Sequence, residues 1–269
     1  MKFAFKTAVM AAALVAANTA SAIDWQFVSG TGSLTFSADA LSALSASGSS
    51  VLTALTVPTI SGLDIGGAVN TAAYTKSTGN VTLKFSDAAT SGDTLTSLQA
   101  ANSFVEIRRT IINDDDSIIR RSIFMANFDV NLVTSTISAD LYSRTDAGAL
   151  VSYGARSIFT ADQVGVIGGT QGLIVQDPGS NLANTTGHAS GSLAGSLRMN
   201  LSTADIILAD LGLSTSATDP VAILVRSANW GTTQAAGNFA AVPEPSSYAL
   251  VGMGLLTVGA LARRRQKTA

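Results

Sequence analysis

The stretch FVEIRRTII (Phe104–Ile112), NDDDS (Asn113–Ser117), IIRRSIFMANF (Ile118–Phe128), DVNLV (Asp129–Val133) decides the fold class. β-Branched and aromatic residues dominate both arms, and the five polar residues between them are turn formers, so the chain is expected to fold back as a hairpin. Reflection about Asp115 sets Arg109 opposite Arg121 and Asp114 opposite Asp116. The arms thus mirror one another in charge as well as in apolar content. Arg108, Arg109, Arg120 and Arg121 are expected to ease the repulsion among the turn's carboxylates. Three adjacent acids also offer hard oxygen ligands, which makes Asp114, Asp115 and Asp116 the candidates for a calcium site. Their spacing does not match an EF-hand loop, and alternate side chains point apart.

Outward from the hairpin the pattern repeats in shorter pieces. Ser33–Ser37, Val51–Val57, Val81–Phe85, Leu150–Phe159, Leu173–Val175, Leu193–Leu201 and Val221–Val225 read as further strands, and Val130–Ile137 as the one that follows the hairpin. Val81–Phe85 alternates as a strand with one wet face does. Many short strands with turn-rich joints predict a mainly β chain, an antiparallel sandwich or jelly-roll-like domain with short helices. Helical turns are expected at Ala38–Ala46, at Ser138–Tyr142, and at Thr203–Leu213 capped by Thr203 or Ser202. The glycines of Gly165–Gly172 lack the lysine of a phosphate-binding loop and read as a turn; Asn181–Ser196 reads as a loop or β-arch.

Removing both unusual ends leaves Ile23–Val242, 220 residues, enough for one domain with a real core. This body holds ten Lys or Arg against seventeen Asp or Glu, a net charge of −7, whereas the whole chain carries −2. An acidic body lacks the basic surface of a nucleic-acid binder. With no cysteine, disulfides, thiolate metal sites and cysteine nucleophiles are excluded.

The N-terminus has Lys2 and Lys6, an apolar run over Ala8–Ala17, and small residues at Ala20 and Ala22, the order of a secretory signal with cleavage after Ala22. At the other end, Pro243-Glu244-Pro245 precedes seventeen uncharged residues, Ser246–Ala262, and then Arg263, Arg264 and Arg265. As a helix those seventeen residues span about 25 Å, somewhat less than the roughly 30 Å hydrocarbon core. The arginines resist translocation, so the body is expected outside and the C-terminus inside. Pro243 and Pro245 hold the preceding segment extended and open to a protease.

This C-terminal order of Pro-Glu-Pro, short apolar helix and arginine cluster resembles the PEP-CTERM sorting signal of Gram-negative bacteria. The resemblance implies recognition and processing by an exosortase, an integral-membrane protease-transferase, and an association with exopolysaccharide, biofilm and the outer surface. The implied partners are signal peptidase, an exosortase-like membrane protease, the membrane itself and exopolysaccharide. The domains expected are a signal peptide over 1–22, a β-rich extracytoplasmic domain over 23–227, a low-structure spacer over 228–241 and the sorting and anchoring signal over 242–269.

The body offers little that reads as catalysis. His188 is the only histidine and sits in a polar loop without a nucleophile-elbow serine. Glu106 is the only glutamate of the body, and its place two residues before Arg108 suits an ion pair on one sheet face. No catalytic residue and no cofactor are assigned. Three classes stay open: a structural or matrix-associated β-domain, a carbohydrate-binding module, and an exported hydrolase. The second predicts Trp25, Trp230, Tyr74, Tyr142 and Tyr153 clustered on an exposed face; the third predicts a pocket where carboxylates, or His188 with Ser and Asp, converge.

Overall fold

The computed structural model describes residues 23–242 apart from 55, 57–59, 64, 66–68, 147, 163–171, 180–184 and 194. The hairpin forms in the expected register. Strands β6 (Thr94–Ile112) and β7 (Ile118–Asn131) pair with Arg109 opposite Arg121 and Ile112 opposite Ile118. Both strands are longer than one apolar alternation allows, and a bulge resolves the conflict. Leu98 and Ala100 face the core before it, and Val105 and Ile107 after it; on the partner strand Ile123 and Met125 give way to Phe128 and Val130. The buried parity therefore switches once in each strand, across a bulge where Ala101, Asn102 and Ser103 stand against Asn127 alone. Asn102 and Asn127 take left-handed conformations there, at φ 59° and 52°. Buried Ser103 stitches the bulge by donating to the Ala100 carbonyl at 2.6 Å and accepting from the Phe128 N–H at 3.0 Å.

Around this hairpin grows a seven-stranded antiparallel sheet. Its order is β12 (Leu197–Met199), β9 (Val151–Ala161), β8 (Thr136–Thr145), β7, β6, β2 (Ser49–Leu52), with β5 (Asp87–Ser91) also paired to β6. The second sheet has six strands in the order β10 (Val175–Gln176), β11 (Thr186–Gly191), β13 (Thr232–Val242), β1 (Asp24–Thr35), β4 (Asn80–Phe85), β3 (Ala72–Thr75). One apolar cluster joins Val81, Phe85, Ala189 and Phe239 of the second sheet to Val105, Met125, Ile137 and Leu141 of the first, which defines a sandwich. Strands β6 to β9 follow one another as a meander. A smaller cluster of Ile65, Phe104, Phe124 and Ala126 covers part of the first sheet's outer face.

Helices α1 (Ala38–Ala46), α2 (Leu201–Asp210) and α3 (Pro220–Ser227) pack near one another beside β2, β12, β7 and β9. Buried Trp230 anchors that end: its indole donates to the Val225 carbonyl at 3.0 Å, and its ring meets Phe159 and Phe36. The pairings and both clusters described all lie within Ile23–Val242.

Three local expectations are corrected. Val221–Val225 is helical because Asp219 caps the segment, accepting from the N–H groups of Val221 and Ala222, and Pro220 starts it. Ser138–Tyr142 lies inside β8, where Ile137, Ala139 and Leu141 are buried on one face. The expected spacer over 228–241 is part of the sandwich, with β13 held between β1 and β11. Helix α2 does form, capped by Asn200, whose side chain accepts from the Ser202 N–H at 3.1 Å.

Candidate functional site

The first and last strands meet end to end. β1 and β13 pair antiparallel from Asp24↔Val242 to Thr35↔Thr232, so the residue after Ile23 and the residue before Pro243 are direct partners. This end is well anchored. Trp25 is buried and its indole N–H donates to Asp93 at 2.8 Å, while Phe27 and Phe239 pack edge to face with centroids 5.7 Å apart. Gly187 on β11 makes room for the Trp25 ring, since a Cβ there would lie 2.9 Å from it.

The residues expected to act in export and sorting, Ala20, Ala22, Pro243, Glu244, Pro245, Arg263, Arg264 and Arg265, lie outside the described residues, as do the expected signal segment, the apolar run over 246–262 and most of Gly165–Gly172. No helix among the described residues is long and apolar enough to cross a membrane. Among the described residues, Asp24 and Val242 pair at the end of the β1–β13 ladder, and β13 runs to Val242.

The acidic turn closes on itself. The Asp115 carboxylate accepts from the Ser117 hydroxyl at 2.6 Å and its N–H at 3.1 Å, which lowers its pKa. Asp116 adopts φ 60°, and its N–H donates to the Asn113 carbonyl at 3.0 Å. No group of three or more acids, histidines or cysteines among the described residues is arranged to hold a metal. The arginines turn to other partners than the turn; Arg109 stands about 10 Å behind the strand end at Ile112. Arg109 donates to the carbonyls of Leu211 and Gly212 at 2.9 and 2.8 Å, and Arg121 to that of Asp210 at 3.3 Å, so both cap the C-terminus of α2. Arg120 lies beside Asp146 at 3.9 Å. Arg108 makes the expected pair with buried Glu106, bidentate with both contacts at 2.8 Å, and Ser122 donates to the same carboxylate at 2.6 Å. Glu106 is thereby fully engaged as a structural group.

One polar cluster escaped the sequence reading. His188 Nδ1 and Asp177 Oδ1 are 2.7 Å apart, and the Thr186 hydroxyl donates to the other carboxylate oxygen at 2.7 Å. These hydrogen bonds, Thr186 first and His188 second, hold the Asp177 pKa below its ordinary value. The strand pair Val175↔His188 and Gln176↔Gly187 brings the groups together, and only recognition of β11 as a strand could have revealed it. The histidine is oriented by an acid, but among the described residues no nucleophile hydrogen-bonds to its ring. The aromatic residues are likewise occupied inside the fold. Trp25 and Trp230 are buried, Tyr74 and Tyr142 pack on the clusters, and the Tyr153 hydroxyl donates to Asp210 at 2.5 Å.

Residues 241–266 match the family model described as the PEP-CTERM protein-sorting motif, so the chain carries that motif from the last two residues of β13 onward. Among solved structures the chain is similar to the C-terminal domain of HtaA from Corynebacterium glutamicum, with a TM-score of 0.40, 10% sequence identity, and coverage of 80% of this chain and 99% of that one. No curated protein matches the chain in sequence.

Proposed function

We propose that the protein is a structural β-sandwich of the cell envelope or extracellular matrix, delivered there as the substrate of an exosortase. The PEP-CTERM motif at residues 241–266 implies export, membrane anchoring of the C-terminus before processing, and an exosortase-like membrane enzyme that carries out the processing. The observation that carries the fuller reading is the pairing Asp24↔Val242. Cleavage by signal peptidase after Ala22 and processing around Pro243-Glu244-Pro245 then act on neighbouring chain ends, and the sandwich hangs from one short edge at the membrane. Pro243 lacks an N–H, so it cannot extend the β13 ladder, and the chain passes directly from sheet to sorting signal. Arg263, Arg264 and Arg265 hold the far end on the cytoplasmic side.

A structural role is preferred to the two alternatives for specific reasons. An exopolysaccharide-binding module would present aromatic rings outward, whereas Trp25 and Trp230 are spent on the interior. A hydrolase would bring a nucleophile or second carboxylate to its base, whereas Glu106 is neutralised by Arg108 and His188 is paired only with Asp177 among the described residues. The test is to fractionate cells expressing the whole chain or a chain lacking Pro243–Ala269. The whole chain is expected in the envelope or matrix fraction and the truncated one in the soluble extracytoplasmic fraction. The same distribution for both would refute sorting by this segment.

A further inference from the structure

We propose that the end of the sandwich carrying the Asp24–Val242 pair is a docking surface for a lipid bilayer, on which the domain rests before the sorting motif is processed. The proposal rests on the membrane anchoring implied by the motif at residues 241–266, and adds which side chains meet the lipid. The uncharged run Ser246–Ala262 starts four positions after Val242, and four residues of chain reach at most about 14 Å. The surface around Val242 is therefore the part of the domain nearest the bilayer whenever that run lies in it.

Strand register identifies that surface. Trp25, opposite Ala241, donates to Asp93, the residue just before β6. Leu173 bridges to Thr94 at the start of β6, and the Leu132 N–H donates to the Thr96 carbonyl at 2.9 Å, which brings the turn after β7 to the same end. Val175 pairs with His188, and His188 in turn with Asn238 of β13. Exposed apolar side chains collect here: Val133 at 57% exposure, Val175 at 47%, and also Leu173 and Val242. A single exposed valine is ordinary on a protein surface. Four such side chains at the end from which the chain passes to a membrane anchor suit the interfacial zone of a bilayer, where burying them stabilises contact. Asp24 pairs with Val242, and Asp177 holds Thr186 and His188, so two carboxylates share this end. That charge fits a zwitterionic surface, since an anionic one would repel it. Ile112 is the natural comparison: it is 70% exposed, but it stands at the other end of the 19-residue strand β6 from Thr94.

The chain has no cysteine, so Val133→Cys, Val175→Cys and Ile112→Cys each place one fluorophore on the full chain, at a position already exposed. The labelled chains are reconstituted into phosphatidylcholine vesicles, recovered by flotation, and compared with the same chains in vesicles whose acyl chains are brominated near the glycerol. Loss of fluorescence in the brominated vesicles is expected for the labels at 133 and 175 and not for the label at 112. Val133 and Val175 lie in different elements, so one of them decides if the other variant misfolds. No loss at 133 and 175, or equal loss at all three positions, would overturn the proposal. Labels at 133 and 175 shielded from aqueous iodide yet unquenched by brominated lipid would show that protein covers this end, which also overturns it. A chain that fails to float lacks the anchor, and the reading of the C-terminal motif falls with the docking surface. A chain that floats with both labels unquenched leaves that reading standing and removes the docking surface alone.

Discussion

Asp177, Thr186 and His188 show how a side chain's neighbours set its charge. The Asp177 carboxylate accepts from the Thr186 hydroxyl and contacts His188 Nδ1, and both interactions favour the ionised form. Its folded pKa lies below the unfolded value, so the stabilisation is present above about pH 3.8 and is lost as pH falls through the lower folded value. Replacing Thr186 with Val removes the larger contribution. In a carboxyl NMR titration the Asp177 midpoint is expected to move up toward 3.8, and an unmoved midpoint would show that the hydroxyl does not act on it. The Glu106–Arg108 pair was legible in the sequence because strand residues two apart share a face. Asp177 and His188 are eleven positions apart and meet only through strand pairing, and Thr-Gly-His-Ala-Ser-Gly has no apolar alternation to announce a strand.

Strand β13 is the element on which the account depends, and it is the one whose composition conceals it. Thr232–Val242 is mostly Thr, Ala and Gly, and its β character comes from lying between β1 and β11, where tertiary context outweighs local propensity. Its entry is set by Gly231, at φ 127°, where a Cβ would sit 2.0 Å from the Thr35 carbonyl oxygen. Gly231→Ala is therefore expected to cost about 3 kcal/mol or more in urea unfolding, and a loss under about 0.5 kcal/mol would mean that this turn does not hold the strand in place. The hairpin β6–β7 was readable down to its register because two apolar arms flank five turn formers. Helix α3 was misread because Val221–Val225 is β-branched and apolar, although Asp219-Pro220 carried the start signal that the helix uses.

At the scale of the molecule, a mainly β antiparallel domain, sandwich or jelly-roll-like, was expected from the run of short β-forming segments, and the structure supplies what that run cannot: which strands are neighbours. The decisive neighbour relation joins residues 24 and 242. Both strands, β1 and β13, thereby lie in the middle of one sheet. The C-terminal sorting motif was readable because it is a local pattern of proline, apolar length and charge; the pairing of Asp24 with Val242 was not, because it depends on a contact spanning nearly the whole body.

The most direct test of the central claim is the intact mass of the protein recovered from the cell envelope or matrix. The recovered chain is expected to begin at Ile23, to keep β13 through Val242, and to lack Arg263, Arg264 and Arg265. A recovered chain that retains those three arginines would contradict that claim.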